Sequence, residues 1–162
     1  MIRRAEGELA LADAAATARL GAAVGLALGA CEAICLFGPL GAGKSTLARG
    51  LIRALTAPDE DVPSPTFTLV QFYDGQVSGG EALPLAHFDL YRLTRADEAY
   101  EIGLDEALDN GAVVIEWPDR LHGHLPPDRL DIEIAVEGHG TAETRMARLT
   151  PHGNWEGRPI EF

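Results

Sequence analysis

The apolar positions of the chain follow two kinds of pattern. Ala33-Ile34-Cys35-Leu36-Phe37 and Ala112-Val113-Val114-Ile115 are unbroken apolar runs, as expected of strands covered on both faces of a sheet. Leu20, Val24, Ala27 and Leu28, and later Leu47, Leu51, Ile52 and Leu55, recur instead at helical spacing. The first set predicts a helix capped by Asp13 and running to about Leu28. The second predicts a helix soon after the strand at 33–37. Gly21, Gly25 and Gly29, at intervals of four, predict close packing of the first helix against a neighbour.

Beyond residue 56 the pattern shifts towards alternation. Ala57 to Pro63 is an acidic, proline-bearing connection that cannot continue a helix. Phe67, Leu69, Gln71 and Tyr73 alternate with Thr68, Val70 and Phe72, which predicts a strand entered through the hydroxyl-rich bend Ser64-Pro65-Thr66 and ending at the Asp74-Gly75 turn signal. Residues 74–82 then read as a mobile loop, and 83–90 as the antiparallel return strand. Thr94-Arg95-Ala96-Asp97 matches a helix-capping signature for a stretch through Tyr100 and Ile102, which Gly103 stops or kinks. Leu104 to Leu108 forms a further helical turn, and Asp109-Asn110-Gly111 punctuates before the apolar strand that ends in Glu116. Leu130, Ile132, Ile134 and Val136 alternate with polar neighbours, as in a strand with one wet face. Gly138-His139-Gly140 turns this strand back towards 144–149.

Composition narrows the class. The 162 residues, 46% of them hydrophobic, with glycines and prolines scattered, read as one globular domain spanning 1–162. The net charge of -12 would repel nucleic-acid phosphates over most of the surface, so work on RNA would pass through a protein partner. Arg49 and Arg53, with Lys44, are a local exception. If Cys31 and Cys35 both lie in the predicted strand they are roughly 13 Å apart, beyond the roughly 7 Å a disulfide tolerates, and they read as small buried hydrophobes of a reducing compartment. Met1-Ile2-Arg3-Arg4 is followed by Glu6, Glu8 and Asp13 where a signal peptide needs an apolar core. The uncharged stretch from Leu20 to Cys31 falls short of the roughly 20 residues that span a bilayer. A cytoplasmic protein without membrane attachment is the expectation.

The candidate chemistry begins at Gly38-Pro39-Leu40-Gly41-Ala42-Gly43-Lys44-Ser45, which fits G-x-x-x-x-G-K-[ST] between a buried strand and a helix. Glycines let successive N–H groups converge on phosphate oxygens, the lysine supplies a cation, and the serine hydroxyl can ligate magnesium. Gly38, Gly41, Ala42, Gly43, Lys44, Ser45 and Thr46 are therefore candidate nucleotide-binding residues. The fold class that follows is α/β, a P-loop NTPase-like three-layer domain with a mixed, partly parallel sheet flanked by helices.

Nucleotide cleavage also needs an acid near the metal and a group that orients water. Asp89 and Glu116 each end a hydrophobic strand, the edge at which open α/β sheets bind ligands. Ser64 and Thr66 could sense a terminal phosphate, or could simply stabilise a turn. His87 lies two residues from Asp89 on the same strand face and reads as a structural histidine. His122, His124, His139 and His152 lack metal spacing and read as surface or loop residues. Trp117 could stack on a base or a partner, or pack in the core, and Thr17 could approach a base.

Four blocks, GPLGAGKST, SPTFTLV from Ser64, HFDLYR from His87 and IEWP from Ile115, together resemble the bacterial TsaE (YjeE) family. That resemblance implies a small ATPase, using ATP and Mg2+, required for making threonylcarbamoyladenosine beside the anticodon of tRNAs that read codons beginning with A. It implies partners TsaD and TsaB, with tRNA met only indirectly. It also implies that Lys44 and the loop backbone bind phosphates, Ser45 and Glu116 hold magnesium, and Asp89 and Thr66 support hydrolysis. Ser45 departs from the threonine common in that family, but either hydroxyl can ligate magnesium. Two alternatives stay open: a P-loop small-molecule kinase, with Arg92 or Arg95 on a lid, and a nucleotide-gated binding module without turnover.

Overall fold

The computed structural model describes residues 1–162, the side chain of residue 142 excepted. Its centre is a parallel trio of strands, β3 (Ala33–Phe37), β6 (Ala112–Glu116) and β5 (Ala82–Asp89), with β6 in the middle. β4 (Val70–Gln76) pairs antiparallel to β5 at one edge. On the other side β7 (Arg129–Glu137) runs parallel to β3. β8 (Thr144–His152) then pairs antiparallel to β7, and β2 (Gly7–Leu11) antiparallel to β8, completing a seven-stranded sheet.

Alternation along the central strands divides the core between the two sheet faces. Ile34, Leu36, Val114 and Ile132 join the face covered by α1 (Ala14–Ala27) and α2 (Lys44–Leu55), whose Leu20, Val24, Leu47, Leu51 and Ile52 are buried. Ala33, Cys35, Val113, Ile115 and Phe88 join the opposite face, where Leu104 of α4 (Leu104–Asn110) and Ala99 of the single turn α3 (Glu98–Glu101) lie. The result is a mixed, partly parallel α/β sheet flanked by helices, as expected. Each fully buried aliphatic side chain contributes about 1.5–3 kcal/mol. Asp13 caps α1 through a 2.8 Å bond from the Ala16 N–H. No helix among the described residues is long and apolar enough to cross a membrane.

Several boundaries differ from expectation, each for a local reason. Leu69 adopts a φ of 70° and its N–H bonds the Pro65 carbonyl at 2.7 Å, so residues 65–69 form a turn and the strand starts at Val70, leaving Phe67 exposed. Asp74-Gly75 does not turn the chain. Gly75 lies within β4, where a Cβ would come 2.6 Å from the Leu83 carbonyl, and the connection shrinks to residues 77–81, closed by a bond from the Val77 N–H to the Glu81 carbonyl and one from the Gly80 N–H to the Val77 carbonyl. The capping partner of Thr94 is Glu98 rather than Asp97: its carboxylate accepts from the Thr94 hydroxyl at 2.7 Å and from the Thr94 and Arg95 N–H groups. Asp109 and Asn110 belong to α4.

Cys31 lies outside β3, exposed and at a φ of 63°, so only Cys35 is the buried small hydrophobe expected, its thiol pKa pushed up chiefly by burial. His152 ends β8 and bonds Asp131 at 3.0 Å. Three strands went unforeseen: β2, β1 (Ile2–Arg4) and β9 (Pro159–Glu161), the last two pairing the chain ends antiparallel. A half-buried fork ties this end segment to the core: Arg158 meets the buried Glu32 at 2.6 and 2.7 Å and donates to the Ala27 carbonyl at the end of α1.

The α1–α2 crossing depends on missing side chains. A Cβ on Gly21 would sit 2.1 Å from the Leu47 carbonyl, and one on Gly25 2.9 Å from the Leu51 carbonyl, so these two glycines form the close face expected. Gly29 does not belong to it; it lies beyond the helix, donating to Glu32. Replacing a mid-helix glycine by alanine ordinarily stabilises by roughly 1 kcal/mol. Here the sign reverses: Gly21→Ala should destabilise by about 1–3 kcal/mol in urea unfolding through overpacking. Gly79→Ala, in open space, should shift stability by less than about 0.5 kcal/mol.

A candidate phosphate and metal cleft

The loop between β3 and α2 holds a shape that side chains would prevent. Gly38 has a φ of 142°, and a Cβ there would lie 2.7 Å from the Ile134 carbonyl; Gly43, at a φ of 112°, caps α2. The first helical bond runs from the Leu47 N–H to the Gly43 carbonyl at 3.0 Å. The N–H groups of Lys44, Ser45 and Thr46 therefore open the helix without helical partners, an arrangement that attracts anions. Lys44 is buried. Its ammonium donates to the carbonyls of Gly38 and Pro39 and lies 3.9 Å from the Trp117 ring centre. An ammonium has three donors, and two of them go to these carbonyls. Burial lowers its pKa below the ordinary lysine value, against the opposing pull of Glu116, Asp89 and Asp119.

The two acids meet beside this loop. Asp89 and Glu116 are the last residues of β5 and β6 and stand opposite one another in the parallel register, both buried. One Glu116 oxygen accepts from the Ser45 hydroxyl at 3.3 Å, and the other meets His87 Nε2 at 2.6 Å. His87 thus engages Glu116 through Nε2, while its buried Nδ1 has no hydrogen-bond partner among the described residues. Asp89 accepts from the Thr66 hydroxyl at 3.1 Å and from the Tyr91 N–H at 3.0 Å. Ser64 and Thr66 share a 2.8 Å bond, and the Asp89 N–H donates to the Leu69 carbonyl, so the 64–69 turn is fastened to the strand end.

These groups line one cleft of about 250 Å³: Gly41, Gly43, Lys44, Ser45 and Thr46 on one wall, Ser64, Thr66, Asp89, Glu116 and Trp117 on the other. Gly38 and Ala42 stand behind it, Gly38 through its carbonyl to Lys44 and Ala42 as a buried methyl. Ser45 and Glu116 fit magnesium. Both offer hard oxygens, and an octahedral ion with bonds of about 2.1 Å keeps neighbouring ligand oxygens roughly 3 Å apart, close to the observed spacing. No cluster of three or more His, Cys, Asp or Glu able to hold a metal occurs among the described residues, so the ion would draw its other ligands from phosphate and water.

A second cavity of about 250 Å³ opens on the far side of the loop, sharing Gly41, Gly43 and Thr46 and bounded by Leu11, Asp13, Thr17 and Arg145. Thr17 is buried there, with its methyl 3.5 Å from where a Gly43 Cβ would stand. Sequence reasoning named Trp117 without its contact to Lys44, and missed Arg145 altogether. Trp117, at a φ of 59°, serves the site by lying beneath Lys44 and against Tyr91, with ring centres 4.9 Å apart. Arg145 comes from a strand whose local pattern carries no sign of contact with the loop.

The comparisons with known proteins converge. The family model for "Threonylcarbamoyl adenosine biosynthesis protein TsaE" matches residues 11–146. The tRNA threonylcarbamoyladenosine biosynthesis protein TsaE of Treponema pallidum is 36% identical over 132 residues, covering 81% of this chain and 93% of that protein. The protein of the same name from Nostoc sp. is 36% identical over 148 residues, covering 87% and 83%. The crystal structure of Bacillus subtilis YdiB superposes with a TM-score of 0.70 at 25% identity, over 96% of this chain and 91% of that one. This likeness fits a P-loop NTPase-like fold. Because the matched span takes in the glycine loop, both strand-end acids and the strands that carry them, the chain belongs to the TsaE family.

Proposed function

We propose that this chain, as a single domain, binds ATP with Mg2+ and hydrolyses it slowly as an accessory subunit for threonylcarbamoyl modification of tRNA. The modified adenosine lies beside the anticodon of tRNAs that read codons beginning with A. TsaD and TsaB are the partners, and the setting is the cytoplasm. The observation that carries this reading is the single cleft in which Lys44, the open end of α2, the Ser45–Glu116 pair and the Thr66–Asp89 pair converge.

Each group has a separable task. The N–H row of Gly43 to Thr46 and the Lys44 ammonium bind the phosphates. Ser45 and Glu116 hold magnesium, which when bound neutralises charge on the phosphate oxygens. Asp89, held by Thr66 and the Tyr91 N–H, keeps a carboxylate oriented towards the attacking water. Thr66 links that acid to the 64–69 turn, so the turn can respond to the occupied cleft. The cavity beyond the loop, with Thr17 in its wall, suits the base and ribose.

The charge of -12 supports action on tRNA through partners rather than through a basic face of its own. The kinase alternative needs free lid arginines. Arg92 lies over the Phe67 ring and Arg95 pairs with Asp97 and Glu101, which weighs against it.

Calorimetry, phosphate release and retention of TsaD and TsaB on the tagged chain test the assignment. Lys44→Ala should weaken ATP binding by about 1.5–3 kcal/mol or more; normal binding and turnover in that variant would end the reading. Asp89→Asn should keep ATP affinity while slowing phosphate release by about 100-fold or more.

The lowered Lys44 pKa gives a further signature. The unfolded chain holds this proton more tightly than the folded one, so over the interval beneath the ordinary value of 10.5 the group's contribution to stability rises with pH. Phosphate affinity needs the charge and should fall over the same interval, an effect absent in Lys44→Ala.

A further inference from the structure

Arg145 is the second residue of β8, held by pairing with Leu11 of β2 and Val136 of β7. Its guanidinium reaches the crown of the glycine loop. Nε donates to the Ala42 carbonyl at 3.1 Å, Nη2 donates to the Gly41 carbonyl at 3.1 Å, and Nη1 meets a Glu143 carboxylate oxygen at 2.7 Å. All three nitrogens of the planar fork are engaged, two of them on adjacent peptide units.

That grip bears on the other side of the loop. A trans peptide points its C=O and N–H in opposite directions, so fixing the Gly41 and Ala42 carbonyls also fixes the N–H groups of Ala42 and Gly43. The Ala42 N–H closes the turn on the Pro39 carbonyl at 3.2 Å. The Gly43 N–H heads the row that opens α2. Gly41 itself, at a φ of 79° with open space where a Cβ would be, contributes no packing to hold the crown in place. The loop is thus held from within by Lys44 on the Gly38 and Pro39 carbonyls, and from without by Arg145 on the Gly41 and Ala42 carbonyls, just past Leu40.

We propose that Arg145 is a positioning residue for phosphate binding, clamping the crown of the glycine loop to the sheet so that its N–H groups keep a phosphate-binding shape. Glu143 offsets the positive charge, so the contribution is geometric: the two-point fork matters, and a point charge does not replace it. This inference rests on the nucleotide reading above and deepens it.

The test uses the full chain with Mg2+ and two probes, ATP and inorganic tripolyphosphate, the second needing the phosphate cradle but no base cavity. Arg145→Met should weaken both by about 10-fold or more, with unchanged melting in the absence of ligand. Arg145→Lys, which keeps the charge and most of the stem, should recover little of the loss. Arg148→Met, three residues on and paired at the surface with Glu8 and Glu133, should leave both affinities unchanged.

Full recovery by Arg145→Lys would overturn the proposal, because charge alone would then suffice. So would an intact tripolyphosphate affinity beside a lost ATP affinity, which would place Arg145 on the base side. A fall in ligand-free melting that accounts for the loss in both variants would make the role merely structural. Wild-type protein that binds ATP as tightly as Arg145→Met sinks this inference alone; wild-type protein that binds no ATP sinks the nucleotide reading with it.

Discussion

Parallel pairing among β3, β6 and β5 is the constraint on which the rest of the structure depends. Because the three strands run the same way in one register, everything at their carboxyl ends emerges at one edge: the glycine loop after Phe37, Asp89 and Glu116. A shift of one residue in β5 or β6 would turn its terminal acid to the other face. β6 is buried throughout, β3 up to Phe37, and β5 from Leu85 onwards, so slippage would carry closely packed apolar side chains out of place. The site is therefore held by the core itself.

A second layer of constraint refines what the sheet supplies. Glu116 is buried between Ser45 and His87, which leaves it little freedom to rotate. Asp89 is held from both sides by a hydroxyl and a backbone N–H. Burying such acids is unfavourable unless they are well bonded, and here each bond also sets a direction. The close α1–α2 crossing brings Thr17 up to Gly43, so one packing decision shapes both the core and the wall of the second cavity.

Much of this was legible in the chain. Unbroken apolar runs announced the two central strands, and the spacing of Leu47, Leu51, Ile52 and Leu55 announced α2, because burial on two faces or on one stripe leaves a local period. The glycine motif and the acids at strand ends followed from chemistry that needs those residue types there. What was misread failed where long-range contacts override local pattern. The alternation from Phe67 runs through Leu69, yet the bonds to Pro65 and Asp89 bend the chain there. Asp74-Gly75 looks like a turn, but the glycine answers the close approach of Leu83. β1, β2 and β9 are short and mixed, and they exist only by pairing with distant segments. Arg145 belongs with them, since no local period encodes a contact with Gly41 and Ala42.

In the function proposed here, the loop and the two strand-end acids act as one site for a magnesium-bound nucleotide. Calorimetric titration of ATP into wild type and Glu116→Gln, each with and without Mg2+, tests it most directly. Wild type should bind more tightly with the ion, and Glu116→Gln should lose that dependence while keeping its affinity in the absence of magnesium. An equal response to magnesium in the two proteins would contradict the account.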